Sequence, residues 1–250
     1  MTAAHRLLPL AAGLALLAGC ASAAPAAAPS SPSAPSSATP STSPSTSPST
    51  SPSGTAAASA APVDPAVAAD AAAGVLAREV PDVGAGTFAV VPGSQPAGQG
   101  RVRTVRVEVE DGLPADGAAF AQFALATLND PRGWPGDGWA FARTDGPADV
   151  VLVLASPRTS AELCHPLDTG GTLSCRNGER AVLTWYRWVN GHEDYGGDLT
   201  GYRQYVINHE IGHALGHGHE TCPGEGELAP VMQQQTKGVL PCRPNPWPHP

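Results

Sequence analysis

The sequence predicts an α/β domain of the α+β kind, and three observations predict it. The run Val102-Arg103-Thr104-Val105-Arg106-Val107-Glu108-Val109-Glu110 alternates valine with polar residues, the period of two that marks a strand with one buried face. Val150-Val151-Leu152-Val153-Leu154 is a continuous apolar run, short enough for a strand buried on both faces. Between and after these runs lie stretches with helical spacing, the last of them crowded with histidines.

In chain order, the alternating valines give the first strand. Ala115 to Leu128 then sets Phe120, Phe123, Ala124 and Leu128 at helical spacing, and Asn129-Asp130-Pro131 stops that helix. Trp139 to Arg143 reads as a short strand and Val150 to Leu154 as the buried one. Arg180 to Val189, rich in tryptophan and tyrosine, reads as a further strand. A last helix should begin near Thr200, an expected N-cap, and run to about Leu215.

That helix carries His209-Glu210-Ile211-Gly212-His213-Ala214-Leu215-Gly216-His217-Gly218-His219, an H-E-x-x-H-x-x-G-x-x-H pattern with no position missing. Residues four apart share a helix face, so His209 and His213 can aim their imidazoles at one ion. Glu210 then stands beside the pair, placed to take a proton from a water on the metal without ligating the ion. His219 lies six residues past His213, and a straight helix would carry it ~120° around the axis and ~9 Å along it. The helix must therefore stop, and Gly216 and Gly218 supply the stop and the turn back. His217 competes for the third place, but histidines at i, i+4 and i+8 span ~12 Å on a continuous helix, so His219 is favoured and His217 reads as a neighbour or a solvated residue. Three neutral imidazoles and a water make the open tetrahedral site of a catalytic zinc.

These residues resemble the active site of the metzincin group of zinc peptidases, and the wording from His209 to Gly216 is similar to matrixin sequences. The resemblance implies a single domain with a mixed twisted sheet, an upstream helix packed on it, and a zinc-binding helix followed by a Met-turn. Pro230-Val231-Met232 is the candidate turn, with Met232 an apolar floor under the ligands. It also implies that the strand before the metal helix runs along the cleft, placing Trp185, Tyr186 and Trp188 beside the substrate groove; packing in the core is the equal alternative for these aromatics. No tyrosine follows Met232 by two residues, so a tyrosine ligand is not expected, and Tyr186, Tyr195, Tyr202 and Tyr205 all stay open as a second electrophile. Beyond the motif, Tyr202-Arg203-Gln204-Tyr205-Val206-Ile207-Asn208, Cys222-Pro223-Gly224 and Ala229-Pro230-Val231-Met232-Gln233-Gln234 resemble the uncharacterised actinobacterial DUF3152 family from about residue 80 to the end.

The expected activity is hydrolysis of peptide bonds with one Zn²⁺, held by His209, His213 and His219, and Glu210 as general base. A zinc hydrolase of a non-peptide envelope amide and a metal-binding module without turnover are the alternatives.

The rest of the chain bears on location. His5 and Arg6 precede an apolar run from Leu7 to Ala18 that is too short to span a bilayer, and Leu17-Ala18-Gly19-Cys20 resembles a bacterial lipoprotein cleavage site. Residues 1–20 are therefore expected to be a signal peptide, with Cys20 lipidated and the protein anchored on the outer face of the cytoplasmic membrane. Residues 21–62, almost all alanine, serine, threonine and proline, read as a disordered tether. Residues 63–250, with a core from about 80, form the hydrolase domain. All 22 acidic residues and 13 of the 14 basic ones lie in it, a net charge of −9 that argues against nucleic acid as a partner. A polypeptide substrate and a monomeric state are expected. Apart from Cys20 the chain has Cys164, Cys175, Cys222 and Cys242, an even number in an exported protein. Of three pairings, Cys164–Cys175 with Cys222–Cys242 is favoured, because each joins residues close in sequence around a turn-rich segment.

Overall fold

A computed structural model describes residues 64–250; the signal peptide, Cys20 and the tether lie outside the described residues. The fold is α+β, with a six-stranded mixed sheet. Its elements are α1 (Pro65–Ala72), β1 (Phe88–Val90), β2 (Arg101–Glu110), α2 (Gly117–Leu128), β3 (Trp139–Arg143), β4 (Val150–Ala155), α3 (Pro157–Cys164), β5 (Cys175–Asn177), β6 (Arg180–Thr184), α4 (Trp185–Asn190) and α5 (Leu199–Ala214). The strands run in the order β1-β2-β4-β6-β5, with β3 also paired to β2. The two central pairings, β2 with β4 and β4 with β6, are parallel, β3 pairs parallel to β2, and the strands at the two ends, β1 and β5, pair antiparallel.

The expected strands form for the expected reasons. Val105, Val107 and Val109 of β2 face the core while the residues between them stay partly exposed. In β4 every residue is buried, as befits a central strand covered on both faces. Val150, Leu152 and Leu154 enter the main core with α2 and α5, whereas Val151, Val153 and Ala155 pack with Val182 and the Cys164–Cys175 disulfide on the opposite face. Helix α2 starts at an Asp116 cap that accepts from the Ala118 and Ala119 amides. Asn129 ends it, donating to the Leu125 and Phe141 carbonyls and accepting from the Phe141 amide.

Two expectations need correction. The strand expected from Arg180 to Val189 ends at Thr184, and Trp185–Asn190 is helical. Trp185 and Trp188 are three apart, a spacing that would put them on opposite faces of a strand but puts them on one side of a helix. Both are buried, Trp185 donating its indole N–H to the Glu79 carbonyl and Trp188 to the Ala73 carbonyl. They are core residues and do not flank a groove. The last helix is capped two residues before the expected position, because Asp198 accepts from the Gly201 amide at 2.8 Å and Thr200 falls inside the first turn.

Helix α5 is the axis of the domain, with nearly every side chain from Gly201 to Gly212 buried. Its partners explain its glycine at 212. A Cβ there would strike Met232 Sδ and come within 2.6 Å of Trp134 Cζ2, while the Trp134 indole donates to the Asn208 carbonyl one turn earlier. Gly212→Ala is therefore expected to cost about 1–3 kcal/mol in overpacking, read as a lowered urea midpoint. Gly218→Ala, with open space around the added carbon, should leave the midpoint almost unmoved.

Candidate metal centre

Helix α5 carries His209 and His213 one turn apart, and each imidazole is fixed by a main-chain carbonyl. His209 Nδ1 lies 2.9 Å from the Val231 oxygen and His213 Nδ1 lies 2.9 Å from the His217 oxygen. A carbonyl oxygen only accepts, so both Nδ1 atoms carry the hydrogen, and in the neutral rings both Nε2 atoms keep a free lone pair. The chain then leaves the helix at Gly216, whose φ of +98° is a left-handed conformation that glycine adopts without strain. The reversal brings His219 back until its Nε2 is 3.1 Å from His213 Nε2. One ligand atom from each of His209, His213 and His219 lies within 4.8 Å of the others.

His217 does not join them. Its ring packs on Trp134 with centroids 4.6 Å apart, and its contribution is the main-chain carbonyl that orients His213.

The segment around Met232 holds two of the three histidines in place. Val231 anchors His209, and the Glu220 amide donates to the Met232 carbonyl at 3.1 Å, tying the residue after His219 to the turn. Met232 is buried and its sulfur lies against Gly212 of the helix. The Cys222–Cys242 disulfide encloses this turn, and the tail after it continues the support without a long helix. Asn245 donates to the Ala229 and Trp247 carbonyls, and the Pro246 carbonyl accepts from Asn208 of α5. Replacing Cys222 and Cys242 together by serine is expected to cost about 3 kcal/mol and to weaken divalent-metal affinity. Calorimetric titration checks the second effect, and unchanged affinity would show that the tail alone holds the turn.

Burial grades across the cluster, from a buried His209 through an intermediate His213 to an exposed His219, so the site has a closed back and an open mouth. The mouth is a cleft of about 510 Å³. Burial, with smaller contributions from the neighbouring histidines, pulls His209 down to about 3, against the pull of the Val231 carbonyl. His219 is lowered too, first by burial and then by His213 and Lys237. Depressed, neutral imidazoles are the ligand form a divalent ion needs. Glu210 lines the same cleft; burial pushes its carboxyl up to about 8, and its Oε2 has no hydrogen-bond partner. An unpartnered carboxyl oxygen, two imidazole lone pairs fixed by carbonyls and a third imidazole folded back to meet them fit a site built around a cation and a water.

The tyrosines left open by the sequence are mostly committed elsewhere. The Tyr195 hydroxyl donates to Gln235, Tyr202 bonds Thr236, and Tyr205 donates to the Gln233 carbonyl while accepting from the Gln235 amide. All three rings are buried; Tyr205 alone of the four lines the cleft, its ring centroid 5.4 Å from that of His209, while Tyr186, Tyr195 and Tyr202 do not. Sequence reasoning missed part of the cleft wall. It is made by the loop from Leu167 to Ser174 and by Cys175 and Arg176 of β5, a strand of three residues whose one signal was its cysteine.

Residues 76–250 match a family described as a protein of unknown function (DUF3152), and the chain belongs to that family. No curated protein and no solved structure matches the chain. None of the helices among the described residues is long and apolar enough to cross a membrane.

Proposed function

We propose that this protein is a zinc-dependent endopeptidase of the metzincin type, exported, anchored through a lipid on Cys20, and acting on polypeptides in the cell envelope. One observation carries the reading: the Nε2 lone pairs of His209 and His213 are fixed by carbonyls behind them, with His219 folded back to meet them and the unpartnered carboxyl of Glu210 alongside. His209, His213 and His219 would hold the ion. When bound there, zinc supplies a Lewis acid that polarises a carbonyl and acidifies water.

The chain's own residues do the rest. Glu210 takes the proton of the attacking water at its free carboxylate oxygen and returns it to the departing amine. Val231 and His217 keep the two helical imidazoles from turning during the reaction. Strand β5 closes one end of the sheet and supplies Cys175 and Arg176 to the cleft. An extended peptide can add to such an edge by main-chain pairing, which favours a polypeptide over a small molecule.

Metal analysis of the purified chain should return one zinc per molecule, and mass spectrometry should find new termini in casein digests. New products only from purified wall fragments would move the substrate to a non-peptide amide. Bound zinc with no product from either would leave a binding module.

A further inference from the structure

Arginine supplies all but one of the basic residues of this chain, and the exception is Lys237. That lysine stands on the cleft wall with His219, Gln234 and Thr236. Arg176 of β5 lines the same cleft. Among the described residues, the remaining cations are almost all engaged. Arg78, Arg103, Arg106, Arg132, Arg158 and Arg203 are paired with carboxylates. Arg101, Arg143, Arg187 and Arg243 donate to main-chain carbonyls. Arg176 and Arg180 have no such partner, and Lys237 reaches only the Gln234 side chain, at 3.4 Å. Two of the three unengaged cations therefore face the metal cleft, in a domain whose net charge is −9.

The opposing charges at the cleft are few. Asp168 is the one acidic side chain on the wall besides Glu210, and its Oδ1 accepts from the Gly170 amide of its own loop. Glu210 is buried beneath the ligands and does not neutralise the rim. Both cations are exposed, so they cost little to keep solvated in the free protein and are available to an incoming carboxylate.

We propose that Lys237 and Arg176 make this cleft selective for acidic polypeptides, binding aspartate or glutamate side chains that flank the bond to be cut. Cleavage of the bound peptide rests on the peptidase reading, whereas the binding does not. The test therefore uses the zinc-loaded full chain carrying Glu210→Gln, which holds substrate without turnover. Its affinity is measured by fluorescence anisotropy for two peptide pools matched in every position except that one carries Asp and Glu where the other carries Asn and Gln. The acidic pool is expected to bind about tenfold more tightly, a preference that shrinks as salt rises. Adding Lys237→Gln and Arg176→Gln should abolish the preference while zinc stoichiometry stays at one, since both side chains are exposed.

Equal or undetectable binding of the two pools overturns the proposal, as does a preference that survives the double substitution. Exposing both pools to the chain with Glu210 intact separates the two ideas. An acidic preference in binding with no cleavage of either pool keeps the carboxylate site and removes the peptidase.

Discussion

Replacing Glu210 by glutamine is expected to leave a folded protein that binds one zinc and hydrolyses peptides at least about a hundredfold more slowly, the lower end of what a positioned general base contributes. The amide has the shape of the carboxyl but no basic oxygen, so the three histidines keep their geometry while the proton acceptor is lost. Stability supplies a second readout. In the metal-free domain burial holds the Glu210 carboxyl up at about 8, well above an unfolded carboxyl near 4.3. A group raised in the folded state binds its proton more tightly there, so its contribution is fully present below about pH 4 and is lost as pH climbs through 8. Glutamine has no proton to lose. The urea midpoint of the metal-free variant should therefore gain on that of the natural protein between pH 5 and pH 8. Undiminished turnover in the variant would take Glu210 out of the mechanism, whatever the stability curves did.

The parts of this fold that the sequence discloses are those whose period or spacing repeats inside one element. The valines of β2, the apolar run of β4, the Phe120 to Leu128 stripe of α2 and the histidine ladder of α5 each state their geometry locally. His219 is legible because the glycines tell where the helix must end. The short elements are not legible, since β1 and β5 have three residues each and show no period. Helix α4 misleads because its tryptophans and valine suit a strand by propensity, and the choice is made by carbonyls of Ala73 and Glu79 more than a hundred residues earlier. The charge at Arg203 is hidden for the same reason: its partner is 133 residues away.

That partner gives the second large effect. Arg203 projects from α5 six residues before the first histidine, and its side chain is fully buried. Its Nη2 meets Asp70 Oδ1 of α1 at 2.6 Å, its Nε donates to the Trp188 carbonyl and its Nη1 to the Ala69 carbonyl. Burial pulls this guanidinium below its usual range, and Asp70 opposes the pull. Asp70→Ala removes the opposing charge and leaves a buried cation, which is expected to destabilise the domain by about 3–5 kcal/mol. Asp70 also binds Arg78, but that side chain is 48% exposed, so Arg78→Ala should cost less than about 1 kcal/mol. The discriminating variant is Asp70→Leu combined with Arg203→Met. If the penalty is an uncompensated charge, the pair of apolar residues should recover most of the stability lost by Asp70→Ala alone. Helix α1 lies ahead of residue 76, where the family match begins, so a version trimmed to that residue should unfold at least as readily as Asp70→Ala. A trimmed protein with an unchanged urea midpoint would mean that Arg203 finds other acceptors, and that α5 does not depend on the helix that follows the expected tether.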